Sequence, residues 1–290
     1  MKPAPFAYHA PDTLEAALAL KAEHGDAAKF LAGGQSLIPA MNFRATQPAR
    51  LIDVNKLRDF DFVRVEDGEL RIGALTRVRR LERDALVKQH APLLHETAPH
   101  IAHPQIRTRG TVGGSLAHHD PAAELPVVVT ALGGRVKLQS SRGERWVAAD
   151  DFFVSLFTTT IEPDEMLTEA ALPALPPRTG TAFLELARRH GDYAMMGVAA
   201  VVTLDAAGKC NEARLVYLNA GDRPMMAKRG AESLKGRPMD DAAAAEAASI
   251  ASAQEIEPMG SLHASPEYQR HLASVLTKRV LKIAAARAVS

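Results

Sequence analysis

The chain of 290 residues is poor in the residues that build metal and disulfide chemistry. It has one cysteine, Cys210, one tryptophan, Trp146, and only 5% aromatics. A lone thiol excludes an internal disulfide and any zinc or iron–sulfur site made of cysteines from this chain alone, because those sites need several thiolates. Net charge is scarce as well: Lys+Arg 35 against Asp+Glu 34 leaves +1, which gives no broad electrostatic case for nucleic acid or an anionic membrane. Nothing approaches the ~20 consecutive apolar residues needed to cross a bilayer, and Met1 to Phe6 lacks the apolar core of a signal peptide, so cytoplasmic residence is the expectation. A Gly-x-Ser-x-Gly elbow is missing, and Cys210 has no base beside it in sequence, which argues against a nucleophilic hydrolase. Asp53 closes an expected strand about 20 residues after Gly33, as a ribose-binding acid would, yet no Gly-x-Gly-x-x-Gly spacing accompanies it.

What remains is an ordinary globular composition in a chain long enough for two cores, since single cores seldom grow far beyond ~250 residues. Asp12-Thr13-Leu14-Glu15 has the form of a capping box, with Leu14, Ala17 and Leu18 on one helical face and Gly25 as the stop. Strands are expected at 29–32, 50–54, 69–74, 135–139, 198–204 and 212–218. Helical patterns cover Val78 to Asp84, Leu93 to Ile101, and the run from Glu124 despite its β-branched residues. Arg77-Val78-Arg79-Arg80 reads as a solvated helix face. Leu172 to Gly180, with Pro173, Pro176 and Pro177, is the linker candidate. Asp240 and Ser265-Pro266 open two closing helices, the last with Tyr268, Leu272, Val275, Leu276, Val280 and Ile283 on one face.

Two glycine runs stand out from this background: Ala32-Gly33-Gly34-Gln35-Ser36 and Thr111-Val112-Gly113-Gly114-Ser115. Adjacent glycines remove Cβ atoms, permit positive φ, and let main-chain N–H groups converge on phosphate oxygens. The first run lies between an expected strand and a helical turn, where unpaired amides face a ligand, and Lys29 adds a formal charge. On this reading a side chain at Gly33 or Gly113 would fill the phosphate volume. Histidines offer a rival: His100 and His103 are three apart, and His118-His119-Asp120 is compact. Neighbours in extended backbone point to opposite faces, so the preferred reading has His100 and His103 on one helix face and no metal site.

Taken together, residues 32–39, the run Ile106-Arg107-Thr108-Arg109-Gly110-Thr111-Val112-Gly113-Gly114-Ser115-Leu116-Ala117-His118-His119-Asp120-Pro121, and Gly191-Asp192-Tyr193-Ala194 resemble the FAD-binding medium subunit of molybdenum hydroxylases. That group includes the carbon monoxide dehydrogenase medium subunit, bacterial aromatic N-heterocycle dehydrogenases and the flavin domain of xanthine dehydrogenase. The resemblance implies an α+β fold: a two-subdomain FAD-binding domain of the vanillyl-alcohol-oxidase (PCMH) type over 1–176, its subdomains about 1–55 and 56–176. A small antiparallel-sheet-plus-helices domain over 177–290 follows.

By the same resemblance, residues 32 to 36 with Thr111, Gly113, Gly114 and Ser115 would hold the pyrophosphate and ribityl chain of FAD. His118, Asp120 and Glu124 would line the cofactor. Met166 and Leu167 would touch the adenine or ring, and Tyr193 would lie near the isoalloxazine. Relatives commonly carry aspartate at position 124, and many carry lysine at position 185, where this chain has Glu185. No residue of this chain is implied as a catalytic acid, base or nucleophile. The implied role is electron transfer through FAD to an external acceptor. The molybdenum cofactor and two [2Fe-2S] clusters would sit on a large and a small iron–sulfur partner subunit, in a dimer of heterotrimers. A free-standing FAD-dependent oxidase or dehydrogenase of similar fold and a cofactor-free assembly subunit are the alternatives.

Overall fold

The computed structural model describes residues 1–289. The first subdomain runs β1 (Ala7–His9), α1 (Leu14–His24), β2 (Ala28–Leu31), α2 (Leu37–Asn42) and β3 (Arg50–Asp53). Thr13 caps α1 by accepting from the Ala16 N–H, and Gly25 ends it at φ 48. With crossovers between them, the strands pair in parallel in the order β1-β3-β2. Ala17, Leu18, Ala28, Ile52 and Val54 form the core of this unit. The buried Lys21 ammonium is satisfied by the carbonyls of Gly25 and Ala28, at 2.6 and 2.9 Å, as a buried charge requires.

The second subdomain begins with β4 (Val63–Glu66) and β5 (Glu69–Gly73). A helical layer follows: α3 (Val78–Leu81), α4 (Ala85–His90), α5 (Pro92–Thr97), α6 (Pro104–Arg107), α7 (Val112–His118) and α8 (Glu124–Ala131). The chain returns through β6 (Arg135–Ser140), β7 (Gly143–Ala148), α9 (Ala149–Phe152), the small pair β8 (Phe153–Ser155) and β9 (Thr158–Thr159), and β10 (Met166–Pro173). The resulting antiparallel sheet has the order β4-β5-β10-β6-β7. All eight residues of α8 are buried. Burial on every side outweighs the weak strand preference of Val127, Val128 and Val129.

The third unit is the antiparallel sheet β11 (Thr179–Ala187), β12 (Ala194–Leu204), β13 (Cys210–Leu218) and β14 (Met225–Met226), with α10 (Lys228–Glu232), α11 (Asp241–Gln254) and α12 (Pro266–Ala288). Strand periodicity divides its two faces. Met196, Val198, Ala200, Leu215 and Tyr217 pack with α11 and α12, whereas Ala199, Val201, Val216 and Leu218 join the core of the second subdomain. The sheet is therefore covered on both sides, and its strands read as nearly continuous apolar runs.

Four expectations change. Both β10 and β11 reach into 172–180, leaving only residues 174–178 as the connection. His100 ends a 3-10 turn and His103 caps α6, so they share no helix face. The buried stripe of α12 is Gln269, Leu272, Ala273, Leu276, Thr277, Val280 and Leu281, and Tyr268 faces outward. Thr277 lies inward because its hydroxyl meets the buried Tyr217 hydroxyl at 2.6 Å. The second glycine pair occupies the first turn of α7 and not an open loop.

Candidate FAD site

The two glycine runs touch. A Cβ placed on Gly33 would strike the carbonyl oxygen of Arg109 and lie 2.8 Å from Gly110 Cα. Gly33 is glycine because the main chain just before Thr111 passes directly over it. Gly113 is glycine for a similar reason, since its Cβ would come 2.5 Å from Ala74 Cβ. The expectation that side chains at these positions would fill the phosphate volume is corrected: neighbouring protein atoms occupy that space. Gly34 is different. At φ 71 it adopts a left-handed conformation that glycine enters without steric cost.

Accounting for main-chain donors separates the two runs. In α7, Val112 N–H donates to Thr76 O and Gly113 N–H to Ala74 O. Gly114 N–H goes to the Thr111 hydroxyl at 3.1 Å, and Ser115 N–H to Thr111 O. These four amides are spent internally. By contrast, the N–H groups of Gly33, Gly34, Gln35 and Ser36 find no acceptor among the described residues. Four consecutive free amides, one beside a left-handed glycine, make a concave donor array suited to an anion. Their carbonyl side is fixed: Asn55 Nδ2 donates to Ala32 O at 2.9 Å, and Gln35 Nε2 to Gly33 O at 3.0 Å.

The helix α7 contributes a surface. Val112, Gly113 and Leu116 face the core, while Gly114 is exposed and Ser115 and His118 are half-buried. The outward stripe of Gly114, Ser115 and His118 follows helical spacing. Burial pulls the His118 imidazole below its ordinary value against the opposing charge of Asp120, which favours the neutral ring. His119 is buried, with Nδ1 3.0 Å from Thr158 O, and is turned away from His118 by a left-handed φ of 48. No group of three or more metal-ligating side chains exists among the described residues. Lys29 lies exposed on β2 and makes no ion pair among those residues.

Beyond α7, Tyr193 of the third unit comes near Asp120 and Glu124 of the second subdomain. Tyr193 is 72% exposed, and its phenol is held above its ordinary value by desolvation first and then by Asp120 and Glu124. Glu124 opens α8 and is buried. Desolvation, reinforced by the nearby Glu185 carboxylate, pushes its carboxyl up to about 8. Met166 and Leu167 are both buried on β10, Met166 in the core of the first subdomain and Leu167 in that of the second. Their side chains present no open surface.

Asn55 and Arg77 belong to this region and escaped the sequence reading. Arg77 is half-buried and donates to Arg109 O, just before the second glycine run, and to Asn55, which holds Ala32 O of the first, where a solvated helix face was expected. Sequence held no signal for it, because the helix that would expose it begins only at Val78. An open recess of about 550 Å³ on the third unit, lined by Asp150, Glu212, Arg214, Lys228 and others, includes no residue of either glycine run.

Comparison with known proteins identifies the family. Residues 4–175 match the family model described as the FAD binding domain in molybdopterin dehydrogenase, and residues 181–284 match the CO dehydrogenase flavoprotein C-terminal domain. The chain is 44% identical to the 6-hydroxypseudooxynicotine dehydrogenase complex subunit alpha of Paenarthrobacter nicotinovorans, over 99% of this chain and 97% of the relative. It is 36% identical to the caffeine dehydrogenase subunit beta of Pseudomonas sp. strain CBB1, over 100% and 98%. Among solved structures, a chain of carbon monoxide dehydrogenase from Hydrogenophaga pseudoflava superposes with a TM-score of 0.96 at 36% identity, covering 99% of both chains.

Proposed function

Because the chain belongs to the family of FAD-binding subunits of molybdenum-dependent dehydrogenases, we propose that it takes electrons from iron–sulfur clusters of a small partner subunit and passes them to an external acceptor. It is an FAD-carrying oxidoreductase subunit of the α+β, two-domain architecture described above. The observation that carries the site assignment is the run of four acceptor-free amides at residues 33–36, pressed against the segment that leads into α7.

When bound, FAD supplies the redox chemistry that amino-acid side chains lack. This chain's residues bind and orient it. The amides of 33–36 hold the diphosphate, the bare outer face at Gly114 lets a ligand approach α7, and Ser115, His118 and Asp120 offer hydrogen-bonding groups along the same edge. Tyr193 supplies an exposed aromatic face. The main chain at Met166 and Leu167 is the part of those residues open to such a role. Lys29 adds positive charge to the diphosphate side. We place the domain boundary at 176/177, with subdomains of about 1–55 and 56–176.

A molybdenum subunit and a small iron–sulfur subunit complete the assembly, as a dimer of heterotrimers in the cytoplasm; no helix among the described residues is long and apolar enough to cross a membrane. The lone buried Cys210 fits that division, since clusters need thiolates this chain lacks. Purification of the native complex with metal and flavin analysis tests the proposal. The expected result is about one FAD per chain, with molybdenum and iron on other polypeptides. A flavin-free complex, or turnover of an organic substrate by this chain alone, would overturn it.

A further inference from the structure

Arg77 stands where the two glycine segments meet. Its Nη1 donates to Arg109 O at 2.5 Å and its Nη2 to Asn55 Oδ1 at 2.6 Å. Asn55 in turn holds Ala32 O, the carbonyl immediately before the free amides. The main chain repeats the tie: Val78 N–H donates to Gly110 O, and Arg77 bridges Thr111. One guanidinium therefore touches the segment that roofs Gly33 and, through Asn55, the strand end that carries it.

The charge of Arg77 is also unbalanced. No carboxylate lies within ion-pair distance among the described residues. Asp53, the acidic member of the Asn55 network, already accepts from the Tyr8 hydroxyl at 2.6 Å and from Asn55 through both its main-chain N–H and Nδ2. Burial, followed by the charge of Arg109, disfavours the guanidinium's charged form, and the more distant carboxylates of Asp61 and Asp53 offset this only in part. A half-buried cation with no carboxylate in direct contact is costly and is normally compensated. Here the acceptor-free amides beside it have the same need.

We infer that Arg77 is a positioning residue for the diphosphate site, holding the two glycine segments together and supplying the fixed positive charge that the bound diphosphate neutralises. The inference rests on the FAD reading above. It assigns to Arg77 a role selective for the phosphates, since its side-chain bonds go to the segment that roofs Gly33 and to Asn55, which holds the carbonyl just before the free amides.

The test uses the flavin-free, full-length chain titrated with FAD and, separately, with riboflavin, which has the same ring and no phosphate. Arg77→Gln is expected to weaken FAD by roughly 50-fold and riboflavin by less than about 3-fold, as loss of a charge-assisted contact predicts. Arg77→Lys keeps the charge but not the fork, and should recover part of the loss. Asn55→Ala cuts the tie to Ala32 and should cost FAD about 10-fold. Thermal melts verify that each variant folds; if Arg77→Gln does not fold, the lysine and Asn55 variants decide. Equal losses of FAD and riboflavin, or FAD binding within about 3-fold of wild type, would overturn the inference. Failure of the wild-type chain to bind FAD would instead strike the functional reading itself.

Discussion

His100 Nδ1 lies 3.4 Å from Glu185 Oε1, pairing a residue of the first domain with a strand residue of the second. The Glu185 side chain is only 6% exposed, and its Oε2 has no hydrogen-bond partner among the described residues. The Glu185 hydrogen bond raises the His100 value above that of a free imidazole. Glu124, at the start of α8, adds a second buried carboxyl to the same neighbourhood, with Asp120 and Tyr193 at its outer edge.

This arrangement makes stability fall as pH rises. Glu124 goes from an ordinary 4.5 to about 8 on folding. Between those values the unfolded chain binds fewer protons than the folded one, and linkage then lowers stability with increasing pH. His100, also raised, contributes in the same direction: its stabilisation is present below the unfolded imidazole value and disappears above the folded one. Glu124→Gln removes one of the two contributions. Thermal melts of the full chain should show the variant within about 1 kcal/mol of wild type at pH 5 and exceeding it at pH 8 by about 4 kcal/mol, or roughly ten degrees. An equal difference at both pH values would place no titrating carboxyl at position 124.

Removing the histidine has the opposite effect. His100→Ala leaves Glu185 buried with neither oxygen paired by a cation, and breaking one half of a buried pair costs about 3 kcal/mol. A second change, Glu185→Gln, should restore most of that loss, because the uncompensated charge is gone. Urea midpoints of the single and double variants give the coupling directly. Additive effects would show that the two residues act independently.

Cys210 offers a chemical check on the third unit. It starts β13, is buried, and its thiol is pushed up to about 11 by desolvation and then by Glu212. Thiolate is the reactive form, so the native chain should resist a disulfide reagent at pH 8 and react with one equivalent after denaturation. Fast labelling of the folded chain would contradict the packing of this strand.

Much of this architecture is legible in sequence where local rules agree with tertiary ones. Thr13 and Gly25 bracket α1, Asp240 caps α11, and Ser265-Pro266 opens α12, because each cap is satisfied by amides within a few residues of it. The FAD family was readable for a different reason, since three motifs recur in order along the chain. The roles of the glycines were not readable. Whether a missing Cβ leaves an outer face bare, as at exposed Gly114, or makes room for the protein's own atoms, as at Gly33 and Gly113, depends on contacts some 40 to 80 residues away in sequence. Arg77 was hidden by the same distance, because its partners Asn55 and Arg109 are set by topology.

That distinction among glycines gives the sharpest contrast available by mutation. At Gly33 the added methyl meets main chain of Arg109 and Gly110, which has no soft side chain to yield. Gly33→Ala should therefore cost about 1–3 kcal/mol of stability through overpacking and weaken FAD as the segments part. At Gly114 the nearest atom is the Thr111 hydroxyl, 2.7 Å from the added Cβ, and the residue lies on the exposed side of α7. Alanine gains about 1 kcal/mol of helix propensity there and loses a similar amount as the cap is disturbed, so stability should hardly change. The methyl nevertheless stands on the face assigned to FAD, and affinity should drop by about 10-fold, as a displaced close contact of 1 to 2 kcal/mol implies. Melting curves and FAD titrations on the two variants separate the effects. Unchanged FAD affinity in Gly114→Ala would remove the outer face of α7 from the site and leave the amides of 33–36 as its sole support.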